Sequence, residues 1–251
     1  MSEPEPRLRV AAFRPDDERM ADAVELLDSL GATPVADPML AVEPTGATPR
    51  DDADYVIFTS KTGVELVAEA GWEPGDTTVV AIGEPTAEVL RAAGYPVDIV
   101  PETYSSSGLV DALEGSVDGT HVEVARSDHG SDVLIEGLFA AGAYVHETVL
   151  YRLVRPDDAG RSAELAAEGE LGAALFTSSL TVEHFLEAAA ERGIEDEALA
   201  GLAEAVVGTI GHPTKETAES LGIDVDIVPE TADFETLACE VVEAAAPTYH
   251  E

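Results

Sequence analysis

Apolar and polar positions alternate along this chain between short apolar runs and stretches with helical spacing. Val10–Phe13 is an apolar run that stops at Arg14-Pro15-Asp16, as a strand running into a turn would. Met20, Val24, Leu27 and Leu30 then recur at helical spacing, and Gly31 stops the helix. Residues 32–42 read as extended and punctuated by proline. Tyr55–Phe58 predicts a strand, Thr59-Ser60 cap a helix to about Ala70, and Val79–Ile82 predicts the next strand. Pro85 suits the first turn of a helix that ends at Gly94. Val97–Val100 predicts a further strand, and Ser105–Ser107 cap a helix through Leu113. The cycle restarts with strand His121–Ala125, helix Asp132–Ala141 and an extended Tyr144–Val154. Strand Ala173–Phe176, helix Val182–Ala190, strand Ala205–Ile210, helix Pro213–Leu221, strand Val225–Val228 and helix Phe234–Ala244 complete it. Strands separated by single helices predict parallel, right-handed βαβ units.

The same chain repeats itself. Tyr55-Val-Ile-Phe-Thr-Ser60 is echoed by Ala173-Ala-Leu-Phe-Thr-Ser178, and Ile82-Gly83-Glu84-Pro85-Thr86 by Ile210-Gly211-His212-Pro213-Thr214. Val97-Asp-Ile-Val-Pro-Glu-Thr103 recurs letter for letter as Val225-Asp-Ile-Val-Pro-Glu-Thr231, and Val10 to Asp16 matches Val122 to Asp128 more faintly. The period is far too long for a solenoid, so two similar domains are expected. Each copy supplies about five strands, which fits an α/β fold of two flavodoxin-like, doubly wound parallel sheets. A polar turn at each matching strand end suggests a ligand held between the copies. Residues 35–45 and 148–156 carry prolines at equivalent places and read as a two-stranded linker. The opening βα segment then docks either with its own half or with the stretch after Pro156, and the residues alone leave both open.

With 251 residues and 45% hydrophobic content, two domains of ordinary size can each bury a core. No apolar run approaches the ~20 residues that a bilayer requires. The acidic, proline-broken start Met1 to Pro6 is unlike a signal peptide, and Cys239 is the lone cysteine, so the cytoplasm is the expected compartment. The net charge of −38 is spread along the chain, and only Lys61 and Lys215 are lysines. Such charge opposes a compact state unless salt screens it, and the Debye length is only about 3 Å at 1 M. A halophile's solvated surface is the reading adopted. Nucleic acid is excluded as a partner, since phosphates need clustered Lys and Arg.

Candidate chemistry gathers at the repeated turns. In an open α/β sheet ligands lie beyond the carboxyl ends of the strands, where helix N-termini present unpaired N–H groups that favour anions. Thr59, Ser60, Lys61, Thr86, Thr177, Ser178, Ser179 and Thr214 sit there, with Arg126 ending the repeated opening strand. Serine and threonine cap helices everywhere, but matched positions in both copies point to a shared anionic ligand. Lys61 and Lys215 both fall inside these turns. Gly83 and Gly211 end strands where a backbone would approach a ligand closely. No dinucleotide fingerprint, Walker motif, hydrolase elbow or H-E-x-x-H occurs, and the six histidines read as surface or capping residues. Tyr151 stands out as a phenol in the linker of a chain poor in aromatics.

Phe58-Thr-Ser60 with Gly63-Val64, Ala81-Ile-Gly83 with Thr86, Gly142-Ala143 leading to Val149-Leu-Tyr151-Arg152, and Phe176-Thr-Ser178-Ser179 together resemble uroporphyrinogen-III synthase, from Val10 to about Ala244. The resemblance implies a discontinuous first domain (1–38 with 155–251), a second of 39–154, and an active site between them. It implies a cofactor-free and metal-free reaction in which linear hydroxymethylbilane loses water and cyclises with inversion of its last pyrrole ring. Tyr151 matches the residue favoured as the acid for the departing hydroxyl. Thr59, Ser60, Lys61, Gly83, Thr86, Arg126, Thr177, Ser178, Ser179, Gly211 and Thr214 would bind substrate, a polyanion with eight carboxylates. The expected enzyme is a monomer, off the membrane, able to touch the preceding enzyme of its pathway transiently. His212 stands where the family has a small or neutral residue. The competing reading is a non-catalytic two-domain protein that clamps a small anion or a tetrapyrrole.

Overall fold

In the computed structural model, residues 7–246 are described; the signal-peptide argument on residues 1–6 and the last residues, 247–251, lie outside them. The first part of the chain forms β1 (Arg9–Phe13), α1 (Glu18–Ser29), β2 (Thr33–Ala36), β3 (Ala41–Pro44), β4 (Tyr55–Phe58), α2 (Lys61–Glu69), β5 (Thr78–Ala81), α3 (Glu84–Ala92) and α4 (Ser106–Leu113). There follow β6 (His121–Ser127), α5 (Asp132–Ala140), β7 (Tyr144–Val154), α6 (Arg161–Ala167), β8 (Ala173–Phe176), α7 (Ser179–Glu191), α8 (Glu195–Ala203), β9 (Val206–Thr209), α9 (His212–Ser220) and α10 (Phe234–Ala245). No helix among the described residues is long and apolar enough to cross a membrane.

The chain divides into two units, one of residues up to Ala41 with those from Val154 onward, the other Val42–Leu153. In the first unit β1 is apolar on both faces, because it lies between β2 and β8 with helices on either side. Its sheet has the order β2-β1-β8-β9, all pairs parallel. Val10 and Ala12 pack with Met20, Leu27, Phe234 and Val241 of α1 and α10, whereas Ala11 and Phe13 pack with Phe185, Val182 and Ala163 on the opposite face. This alternation is the period-2 geometry of a strand covered twice. Phe13, Phe176 and Phe185 form an aromatic knot there, with Phe13 and Phe176 stacked at 4.5 Å.

The second unit has the order β3-β7-β6-β4-β5. Val56 and Phe58 face α2 and α3 with Val64, Val67 and Leu90; Ile57 faces α4 and α5 with Leu109, Leu113 and Leu138. The two sheets have one plan assembled from crossed halves of the repeat. Phe13 stands opposite Phe176 across β1 and β8, and Ala125 opposite Phe58 across β6 and β4. The opening strands of the first copy thus join the closing strands of the second, and the reverse holds in the other unit.

Three local expectations need correction. Val97–Val100 and Val225–Val228 do not form strands; each contributes a single bridge, at Ile99 to Val80 and at Ile227 to Gly208. The reason is the repeated aspartate. Asp98 accepts from Val79 N at 2.8 Å and Asp226 from Val207 N at 2.8 Å, so a side chain takes an N–H that a strand carbonyl would have taken. Pro101 and Pro229, lacking N–H groups, then end the pairing. His184 is not at the surface: it is buried, and its Nδ1 lies 2.5 Å from the carbonyl of Met39. The helices α6 and α8 were not anticipated. They cross so closely that a Cβ on Gly201 would lie 1.8 Å from the Ala166 carbonyl. Asp37, 2% exposed, anchors the chain after β2 by accepting from Gly160 N, Ser162 N and the Ser162 hydroxyl at the start of α6.

Candidate active site

The polar turns fall at the carboxyl ends of the strands in both units. In the second, β4 ends at Phe58, Thr59 follows half-buried, and Ser60 caps α2 by accepting from Gly63 N at 3.0 Å. Tyr151 donates its hydroxyl to the same Ser60 oxygen at 3.0 Å. Both acceptor positions of that oxygen are then used, which leaves its own O–H to donate. Tyr151 reaches it because of a bulge. Between β6 and β7 the pairing steps from Arg126 with Val149 to Ser127 with Tyr151, so Leu150 is the extra residue. Consecutive side chains of a regular strand face opposite ways, yet Leu150 and Tyr151 pack into the same cluster as Phe58, Val64 and Ala125. The tyrosine is 7% exposed.

Lys61, exposed, is the first residue of α2. Gly83 caps α3 in extended conformation, and a Cβ there would lie 2.7 Å from the Tyr104 ring, so the bare backbone is what lets that exposed tyrosine lie across the strand end. Thr86 is buried in the first turn of α3, its N–H on the Gly83 carbonyl.

In the first unit Thr177 donates its hydroxyl to the Phe13 carbonyl at 2.6 Å, tying β8 to β1 where the strand order reverses. Ser178 caps α7 in a reciprocal box with Thr181. Ser179 donates to the Pro213 carbonyl at 3.3 Å and accepts from Thr217 at 2.8 Å, which binds α7 to α9. Gly211 caps α9, a Cβ there would meet only Pro213 Cδ at 3.9 Å, and Thr214 is buried in the first turn of the helix. Lys215 pairs with Glu219 at 3.4 Å.

Arg126 is placed differently from its neighbours. It is 5% exposed, donates to the Ser131 carbonyl at 2.7 Å and to Glu147 at 2.6 Å, and lies under the loop at Gly130. Its counterpart in the first unit is Arg14, which the sequence reading did not select. Arg14 lines a groove of about 610 Å³ with Thr177, Ile210, Asp233 and Phe234. Its guanidinium sits 4.4 Å over the Phe234 ring. Burial lowers its pKa and Arg19 beside it adds to this, against the pull of Asp17, Asp22 and Asp233. An arginine nonetheless stays charged. The signal that would have found it was already there: Arg14 and Arg126 are matched by the repeat, and only one keeps a carboxylate partner. Among the described residues no cluster of His, Cys, Asp or Glu could hold a metal ion.

Known proteins place this arrangement. A family model described as uroporphyrinogen-III synthase HemD matches residues 21–239. A protein of Methanothermobacter thermautotrophicus, provisionally named a uroporphyrinogen-III synthase, is 35% identical over 237 residues, covering 88% of this chain and 92% of its own. The uroporphyrinogen-III synthase of Synechococcus elongatus is 27% identical over 85% of this chain and 88% of its own. In fold, the chain resembles a crystal structure of uroporphyrinogen III synthase from Thermus thermophilus with a TM-score of 0.65 at 21% identity, covering 96% and 99% of the two chains. The corresponding Helicobacter pylori structure gives 0.61 at 15% identity, covering 95% and 99%. With its polar strand ends, its duplicated sheets and a family match over most of its length, this chain belongs to the uroporphyrinogen-III synthase family.

Proposed function

We propose that this chain cyclises hydroxymethylbilane to uroporphyrinogen III, losing water and inverting the last pyrrole ring, as a hydro-lyase that needs no cofactor. The observation that carries the reading is the family match over residues 21–239, on a fold whose strand ends carry paired hydroxyl and N–H donors in each unit. Loss of hydroxide leaves a reactive cation, and spontaneous closure is expected to give the uninverted ring. Most of the task is therefore to impose geometry on a substrate that is already reactive. Eight carboxylates call for many neutral donors rather than a single centre, which suits Ser60, Thr86, Ser178 and Thr214. The Tyr151 phenol offers an O–H donor, bonded to Ser60 at 3.0 Å. Directly or through the Ser60 hydroxyl it can hand that proton to the departing hydroxyl, which leaves as water.

The test is turnover of hydroxymethylbilane by the purified protein in molar salt, with a chelator present and no cofactor added. The type I and type III products are resolved after oxidation. Type III product supports the reading. Tetrapyrrole binding without turnover would return the protein to the class of non-catalytic anion binders, and dependence on an added metal or cofactor would remove the cofactor-free part.

A further inference from the structure

We infer that Arg14 is a substrate-binding residue that holds one carboxylate of the tetrapyrrole in the groove of the first unit; this rests on the proposed activity and deepens it. The chain carries 51 acidic side chains against 13 lysines and arginines, so a cation without a carboxylate partner is unusual in it. Arg7, Arg9, Arg19, Arg50, Arg91, Arg126, Arg155, Arg161 and Arg192 each have one. Arg14 forms no ion pair with any described residue, and neither do Arg152 and Lys61; those two are exposed, whereas Arg14 is half-buried with carboxylates near it. Asp233 is engaged in capping α10, accepting from Thr236 N at 2.9 Å and its hydroxyl at 3.0 Å. Asp17 is held in a fork by Arg19. Asp22 and Glu235 line the groove without closing on Arg14.

Arg14 is held over the face of Phe234, a contact that leaves its N–H groups available to a ligand. The position follows from topology. Arg14 leaves the end of β1 and Thr177 the end of β8, and between these strands the order of the sheet reverses, which is where open α/β sheets bind ligands. The second unit offers no equivalent. There Arg126 is spent on Glu147, and Tyr104 lies over Gly83 at the place where the first unit has Ala232 and an open Gly211. The two copies have thus diverged at the matched arginines, Arg14 keeping no carboxylate partner and Arg126 closing on Glu147. An arginine edge matches a carboxylate with two parallel bonds and serves a polycarboxylate better than a hydroxyl does.

Arg14→Gln should raise KM for hydroxymethylbilane about tenfold or more in 1 M KCl while kcat stays within about threefold, with the penalty shrinking as salt screens the charge. Arg14→Lys keeps charge without the fork and should recover part of the loss. Arg50→Gln removes the same charge from an exposed arginine paired with Asp52 and controls for the whole-protein field. In parallel, uroporphyrin III, the stable oxidised form of the product, is titrated into all four proteins by fluorescence. Titration weakened in Arg14→Gln, less so in Arg14→Lys and not in Arg50→Gln supports the inference. Equal affinity and KM in Arg14→Gln and wild type overturn it, even if type III product still forms. If the wild type makes no type III product the activity fails, and the titration still decides whether Arg14 holds a tetrapyrrole carboxylate.

Discussion

Replacing Tyr151 by phenylalanine removes one oxygen and one hydrogen bond, and the surroundings of that oxygen set the expected effect. The ring stays packed beside Leu150, Phe58 and Val64, so the bulge in β7 and the cluster around it should persist. Ser60 loses the bond at 3.0 Å but keeps its bond to Gly63 N, and it is half-buried, so water can take the vacant acceptor position. A neutral hydrogen bond of this kind contributes about 0.5–1.5 kcal/mol. For a protein of this size that is a fall in Tm of roughly 1–6 °C. If the phenol is the acid for the departing hydroxyl, kcat should fall by about 10²–10⁴-fold. Because the hydroxymethyl group of a pyrrole departs readily, the lower end of that range is expected, and the type III isomer should still dominate. Ser60→Ala removes the α2 cap, costing about 1 kcal/mol of stability, and its rate should fall less than tenfold. Since the two hydroxyls are bonded to each other, the double variant should be no slower than Tyr151→Phe. Stopped assays with isomer analysis, and thermal melts of all four proteins, measure each quantity. A wild-type kcat in Tyr151→Phe would refute the reasoning and leave the tyrosine as packing for the bulge.

Salt should act on fold and rate together: between about 0.1 and 3 M KCl the Tm should rise by at least about 10 °C and turnover should climb with it, because −38 charges are screened; flat curves would remove the halophile reading. Asp37→Ala strips three donors at the start of α6 of their buried acceptor and should cost about 2–4 kcal/mol in denaturant melts, with Ser162→Ala costing less. Asp17 is held below the usual carboxylate range by the Arg19 side-chain hydrogen bond. Its contribution to stability is therefore present above the unfolded pKa of about 4 and lost as pH falls through the folded value. In molar salt, Asp17→Asn should therefore lose a little stability across the neutral region and converge on wild type as pH falls below about 4, so that its acid limb is flatter.

The strands and most helices were legible because their residues obey a period. Val10–Phe13, Tyr55–Phe58 and Ala173–Phe176 are apolar on both faces, and that requires cover on both sides. What the pattern could not show is a side chain standing in for backbone. Val97–Val100 carries the apolar signature of a strand, yet Asp98 takes the Val79 N–H and reduces the pairing to one bridge. Helix α6 is hidden by its alanines, which give no apolar stripe, and α8 by an acidic first turn on a short helix. The bulge at Leu150 left no mark at all, since Val-Leu-Tyr reads as plain strand, although it is what turns Tyr151 toward Ser60.

The repeat was a stronger signal than any single motif, but it speaks only of what the copies share. Matched hydroxyls at Ser60 and Ser178 cap helices in both units, so their recurrence by itself does not separate a ligand site from helix capping. The differences are more telling. A duplicated sheet offers the same strand end twice, and selection for packing alone would treat both alike. Here one matched arginine is buried on Glu147, while the other is stacked on Phe234 without a carboxylate partner. One matched glycine lies under Tyr104 and the other is open. Holding a cation unpaired in a chain with a fourfold excess of acids forgoes stabilisation that a neighbouring carboxylate could supply. Such a position is best explained by an anion that arrives from outside the chain, and it is the asymmetry of the copies, more than their likeness, that locates it.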